Sequence, residues 1–289
     1  MPLLTEQAPA KINLTLNILG RRHDGYHELS SLVVFARDVA DRVILDTSRP
    51  DSLSVSGPFA GLIEDQNLVA KAIAAVKVAH PGVLLGAFEL VKNLPVASGV
   101  GGGSADAAAA LRLIQRANPE LSATVDWLSL AARMGADVPV CLQCQPAMMS
   151  GIGETLRPVA VLPRLTAVLV NPMADVPTNK TAQVFAALGA PPLAVDKKLP
   201  VPVLAGREAV IDYMWGEPNS LTAAACSVVP VIATVLAALA AMPGCRIARL
   251  SGAGPTCFGL FDHTDGADEA AHELRNRYPA WWIARSSLG

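Results

Sequence analysis

Residues 95–110 read PVASGVGGGSADAAAA, with four glycines in the five residues Gly99–Gly103 running directly into a chain of helix formers. Glycine costs roughly 0.5–1 kcal/mol in an ordered element, so a cluster of this kind calls for positive φ angles or for close approach of a ligand to the backbone. Upstream, GAFELVKNLPV alternates through Phe88, Leu90 and Lys92 as a half-buried strand does, and downstream Ala105–Ala117 carries Leu111 and Ile114 at helical spacing. Ser104 stands at the expected N-cap. Strand, loop and helix in that order aim free backbone N–H groups at one point, where the helix dipole also favours negative charge. This describes an anion cradle. It is not a Walker A loop, since no Gly-Lys-Ser/Thr follows, and Ser104 stands where the dinucleotide fingerprint needs a third glycine. A tight turn that lets the helix pack on its strand is the competing reading of the same residues.

The rest of the chain bounds the answer. Its 289 residues suit two modest domains, and a net charge of −2 supplies no basic field for nucleic acid. Five cysteines, an odd number spread from Cys141 to Cys257, suit a reducing compartment, and the Cys141/Cys144 pair, set in the apolar run VPVCLQC, reads as buried and structural. The start, MPLLTEQAPAKINL, lacks a basic segment before an apolar core of about 7–15 residues, so no export signal is expected. Thr222–Met242 is uncharged and long enough to span a membrane, but it is rich in weakly hydrophobic alanine and carries Ser227, Pro230 and Thr234, and reads as a core helix preceded by a short turn.

INLTLNIL and DRVILDTS read as strands, Asn67–His80 and Asp126–Met134 as helices. A second series starts with a strand at Arg164–Asn171. Helices at Thr181–Leu188 and Arg207–Trp215 follow, then the alanine-rich helix, strands at Arg246–Leu250 and Cys257–Phe261, a helix over Ala267–Tyr278 and a final strand. The boundary falls near residue 160, giving domains 1–160 and 161–289. ALGAPPLAVDKKLPVPVL reads as an irregular surface loop.

Four further clusters stand out. Lys11 and Asn13 in APAKINLTL share one strand face. Tyr26 and His27 follow the turn residues Asp24 and Gly25 at a hairpin corner. Asp137 in MGADVPVCL lies between a helix end at Gly135 and an apolar extended run held by Pro139, where a cap or turn role competes with a chemical one. LSGAGPTCFGLF supplies a second glycine-rich connection, by itself a turn. A phosphate cradle, a lysine and an aspartate are the minimal kit for phosphoryl transfer, in which the protein mainly positions groups and offsets charge.

APAKINLTL, PVASGVGGGSADAAA, GADVP and LSGAGPT, in this order and spacing, resemble the motifs of the GHMP small-molecule kinases over nearly the whole chain. The resemblance implies an α+β, two-domain GHMP-kinase-like fold: an N-terminal ribosomal-protein-S5-like α/β domain that binds ATP, a C-terminal ferredoxin-like α/β domain, and an active site in the cleft between them. It implies ATP and Mg²⁺. Within the superfamily, PAKINL, GRRHDGYHEL and GADVP resemble the member whose small-molecule substrate is a cytidine diphosphate-linked methylerythritol. By position, Asp137 is then the catalytic base and Lys11 the lysine beside it. Pro95, Val96, Ala97, Ser98, Gly99, Val100, Gly101, Gly102, Gly103, Ser104 and Ala105 form the ATP phosphate loop, with Ser104 also reaching the metal. Asn67 and Lys92 lie near the adenosine. Asn13, Tyr26, His27, Thr181 and Phe185 line the substrate pocket, Phe185 stacking on the cytosine. The resemblance also implies a cytoplasmic protein, a monomer or weak homodimer, with no nucleic-acid or membrane partner. Ser98, Ala105 and the NSL at Asn219–Leu221 depart from the family pattern. A homoserine- or mevalonate-type kinase of the same superfamily and a non-catalytic nucleotide-binding module are the alternatives.

Overall fold

A computed structural model describes residues 3–63, 67–194 and 200–289. In chain order the elements are β1 (Leu4–Asn13), β2 (Asn17–Arg21), β3 (His27–Asp46), β4 (Ser52–Ser56), α1 (Leu68–Ala79), β5 (Ala87–Val91), α2 (Gly102–Ala117), α3 (Pro119–Ser122), α4 (Trp127–Ala132), α5 (Val138–Gln143), β6 (Ala147–Gly151), β7 (Thr155–Pro158), β8 (Leu165–Asn171), α6 (Lys180–Leu188), α7 (Arg207–Gly216), α8 (Thr222–Val228), α9 (Val231–Ala240), β9 (Cys245–Leu250), β10 (Cys257–Phe261), α10 (Thr264–Arg277) and β11 (Trp282–Leu288). Two compact units emerge. One comprises Met1–Ala10, Val39–Ala97 and Gly101–Cys144; the other comprises Lys11–Asp38, Ser98–Val100 and Gln145–Gly289.

In the first unit, Arg42–Asp46 of β3 pairs antiparallel with β5, and β5 pairs parallel with β4. α2 packs on α1 and α5. Its buried residues, Ala105–Leu111, Leu113, Ile114 and Ala117, occupy almost every direction around the axis, as expected of a helix enclosed by its neighbours. Alanine lets those neighbours come close.

In the second unit, β2 pairs antiparallel with the start of β3, whose Leu29–Val33 also pairs with β6. A second antiparallel ladder runs β11-β8-β10-β9. Val168 and Val170 of β8, Ile232, Val235 and Leu239 of α9, and Ala267, Ala271 and Leu274 of α10 share one apolar core. All five residues of β10 are buried.

Several boundaries differ from the sequence reading for local physical reasons. INLTLNIL is not one strand: β1 ends at Asn13 and β2 begins at Asn17, because the backbone between them changes partner. Leu14 N–H bonds to the Leu32 carbonyl, and Leu16 then bridges to Asn219. DRVILDTS belongs to the 20-residue strand β3. The alanine-rich segment is two helices, α8 and α9, because Pro230 has no N–H to continue the first and caps the second. The run after Asp137 is helical rather than extended, since Pro139 falls in the first turn of α5, where a missing N–H costs nothing. The N-cap of α2 is Gly101 at φ 64°, and Ser104 lies inside the first turn. Of the proline-rich loop, residues 195–199 lie outside the described residues. No helix among the described residues is long and apolar enough to cross a membrane.

Phe258 is fully buried on β10, so Phe258→Ala is expected to cost about 3–5 kcal/mol. Urea unfolding at unchanged m-value measures it.

Candidate active site

Between β5 and α2 the backbone takes positive φ at Ala97 (53°), Gly99 (81°) and Gly101 (64°). The carbonyls of the central loop are occupied. Thr256 N–H donates to the Ser98 carbonyl at 3.0 Å, Ser251 hydroxyl to the Gly99 carbonyl at 3.1 Å and Lys11 N–H to the Val100 carbonyl at 2.8 Å. A Cβ on Gly99 would lie 2.6 Å from the Gly254 carbonyl oxygen and 2.8 Å from that of Ser251, so glycine is required twice over, by φ and by space. In α2 the Ala105 N–H bonds to the Gly101 carbonyl at 2.8 Å. The N–H groups of Gly102, Gly103 and Ser104 precede the helical ladder and have no acceptor within it. With carbonyls engaged and amides at a helix start, the loop suits an anion. Ser98 and Ala105 are both buried, and Ser220 has a structural task, its hydroxyl accepting from Ile18 N–H at 3.2 Å.

LSGAGPT, by sequence only a turn, is the loop's support. Ser251 is its node: the hydroxyl that donates to Gly99 also accepts from Asn13 N–H at 3.3 Å. Asn219 holds the turn from the other side, its amide nitrogen donating to the carbonyls of Leu250 and Gly252 at 2.9 Å each. The available signal was the pair of glycines Gly252 and Gly254, both at positive φ.

Lys11 and Asn13, both buried, share a strand face as the period-2 reading expects. Lys11 Nζ donates to Asn13 Oδ1 at 3.1 Å, and Asn13 Nδ2 to the Ser31 hydroxyl at 2.8 Å. Asp137, in the first unit, occupies the N-cap position of α5 and is partly exposed. His27, opposite Arg21 in the β2–β3 hairpin, contacts the Phe185 ring at 4.8 Å between centroids, tilted by 33°. Burial, with a smaller push from Arg21, holds the His27 imidazole below its ordinary pKa. Thr181 is exposed one turn before Phe185, and Tyr26 is 61% exposed. Asn67 caps α1, its Oδ1 accepting from Val69 and Ala70 N–H.

Lys92, expected near the adenosine, is buried with its polar groups engaged inside the protein. Its ammonium pairs with Asp41 and with Asp106, its N–H goes to the Ser56 carbonyl, and its carbonyl accepts from Phe59 N–H. Lys180, unremarked in the sequence, is buried at the start of α6 and donates to the Gly254 carbonyl of the supporting turn. Burial pushes its pKa down to about 8. Cys141 is buried within α5, and Cys144 closes that helix at φ 49°.

The chain matches the family models of the GHMP kinase N-terminal domain over residues 67–145 and of the GHMP kinase C-terminal region over residues 213–280. It is 48% identical, over the full length of both proteins, to a 4-diphosphocytidyl-2-C-methyl-D-erythritol kinase of Methylobacterium radiotolerans. Among solved structures it resembles a 4-(cytidine 5'-diphospho)-2C-methyl-D-erythritol kinase with a TM-score of 0.78 at 34% identity, each chain covered to 99%. A homoserine kinase of Cytophaga hutchinsonii shares the fold, with a TM-score of 0.71 at 18% identity over 99% of this chain and 95% of that one.

Between pH 8 and the ordinary lysine value the unfolded chain holds a proton at Lys180 that the folded one has released, so this group makes stability rise with pH in that window. Unfolding free energies of the parent and Lys180→Met, measured from pH 7 to 10.5, should show the parent gaining on the variant above pH 8. A pH-independent difference contradicts this.

Proposed function

The chain belongs to the GHMP kinase family and is an ATP-dependent small-molecule kinase; we propose that it transfers the γ-phosphate of ATP to the 2-hydroxyl of 4-diphosphocytidyl-2-C-methyl-D-erythritol. The products are the 2-phosphate and ADP, and the step serves non-mevalonate isoprenoid precursor synthesis. In the structure, the ring pair of His27 and Phe185 carries this choice of substrate. An aromatic face offers stacking to a pyrimidine, and a neutral imidazole next to it offers one donor and one acceptor to the base edge. Homoserine or mevalonate would have no use for either.

Phosphoryl transfer asks a protein to position groups and offset charge around a loose transition state. The loop Pro95–Ala105 receives the phosphates, with the amides of Gly102, Gly103 and Ser104 free at the positive end of α2. The Ser104 hydroxyl fits Mg²⁺, which takes few protein oxygens when phosphates and water supply the rest. When bound, the ion neutralises charge on the β- and γ-phosphates. Asp137 accepts the hydroxyl proton as the alcohol oxygen attacks phosphorus, and the Lys11 ammonium, steadied by Asn13, offsets the negative charge. Asn13, Tyr26, His27, Thr181 and Phe185 receive the substrate, and Asn67 lies by the adenosine. Lys92 supports the loop from inside the protein. The proposed functional division at residue 160 falls between the two segments that match the family models. The reading places the enzyme in the cytoplasm, and its net charge of −2 supports a partner other than nucleic acid.

ADP release with Mg-ATP and, in parallel, the cytidine-bearing alcohol, the same sugar alcohol phosphate without cytidine, homoserine and mevalonate tests the reading. Turnover of the first alone is expected; turnover of homoserine or mevalonate instead overturns the substrate. Asp137→Asn is expected to lower turnover about a hundredfold or more while retaining Mg-ATP binding, the scale of a lost general base.

A further inference from the structure

Beneath the phosphate loop, within the first unit, two carboxylates and one ammonium are sealed from solvent. Lys92, Asp41 and Asp106 are 2%, 0% and 2% exposed. Asp41, on β3, uses one oxygen to accept from Asn93 N–H at 2.5 Å and Leu94 N–H at 2.7 Å, the backbone immediately before Pro95. Its other oxygen accepts from Lys92 Nζ. The same ammonium reaches Asp106 Oδ2 on α2 at 2.6 Å. The cluster therefore joins the chain entering the loop to the helix leaving it. Gly102 lies against it: a Cβ there would sit 3.2 Å from Lys92 Nζ and 3.7 Å from Asp41 Oδ2.

We infer that Lys92, Asp41 and Asp106 are positioning residues for ATP, setting the separation between the two ends of the phosphate loop and hence the geometry at which its amides meet the phosphates. The inference rests on the proposed function, in that the loop's anion is taken to be the nucleotide. Burying two negative charges against one positive charge is costly in a dry interior, more so next to a polyanion site. Protonating one carboxyl removes that cost. Asp41 has three donors on its two oxygens, whereas Asp106 Oδ1 is buried with no hydrogen-bond partner among the described residues. Burial drives the Asp106 carboxyl well above the usual carboxylate range; Lys92 opposes the shift and Asp41 adds to it. For Lys92, burial disfavours the charge, but Asp106 and Asp41 outweigh it and hold the pKa above its ordinary value. An asparagine at position 106 keeps the shape and polarity of a protonated Asp106 carboxyl and can still accept from the Lys92 ammonium.

The test compares Asp106→Ala with Asp106→Asn. Alanine removes the tie to α2 while leaving the Lys92–Asp41 pair intact; asparagine restores the tie without a charge. Calorimetric binding of Mg-ATP and the KM values for ATP and for the alcohol are measured with thermal unfolding as the folding control. Asp106→Ala should weaken Mg-ATP binding and raise the KM for ATP about tenfold or more, on the scale of small misplacements in a positioned site. The KM for the alcohol should stay within about twofold, and Asp106→Asn should return both ATP values to within about twofold of the parent. Two outcomes overturn the inference: Asp106→Ala lowering the melting temperature with ATP binding unchanged, or Asp106→Asn binding Mg-ATP as poorly as Asp106→Ala. A parent protein that binds Mg-ATP but turns over none of the alcohols would count against the substrate reading alone, because the binding comparison still reads the cluster.

Discussion

Ser251 stands where two backbones would each leave a polar group unmet. Its hydroxyl donates to the Gly99 carbonyl and accepts from the N–H of Asn13. Thr256 N–H takes the neighbouring Ser98 carbonyl. A loop with four glycines in five residues has more conformational freedom to lose than any other stretch of this length, about 1–2 kcal/mol per residue fixed, and only specific acceptors and donors can hold it in one shape. Once its carbonyls are engaged, the groups left over are N–H donors. The same hydroxyl fixes the strand that carries Lys11 and Asn13, so the loop centre at Gly99 and that strand share one contact.

The loop is secured in both compact units. Its centre, Ser98–Val100, belongs to the second unit and is held by the turn between β9 and β10. Its two ends belong to the first unit, where Asp41 takes the amides of Asn93 and Leu94 and Lys92 ties Asp41 to Asp106. Glycine is required at Gly99, where backbone carbonyls approach at positive φ, while a Cβ at Gly102 would meet the Lys92 ammonium in a tight contact at 3.2 Å.

The strand, loop and helix over residues 86–117 were legible because three local signals agree there: alternation in β5, glycine density, and alanine with leucine and isoleucine at helical spacing. The shared face of Lys11 and Asn13 and the hairpin at Asp24–Gly25 were legible because strand alternation and turn chemistry act over two to four residues. What escaped the sequence depends on partners far along the chain. Asp41 looked like one more polar position in an alternating strand, and its ammonium partner is 51 residues away. Asp106 looked like a polar residue in an alanine helix. The break after Asn13 follows from pairing with Leu32 and Asn219, and the support role of LSGAGPT from contacts with a loop about 150 residues earlier. The N-cap of α2 was misplaced by three residues because a serine is the usual cap, whereas here a glycine at positive φ turns the backbone into the helix.

Amide hydrogen exchange of the parent enzyme, with and without a non-hydrolysable Mg-ATP analogue at saturating concentration, tests most directly whether the backbone of this loop receives the nucleotide. The account predicts that the analogue slows exchange at Gly102, Gly103 and Ser104, while the turn at Ser251–Thr256 is protected in both states. Binding of the analogue with unchanged exchange at those three amides would contradict it.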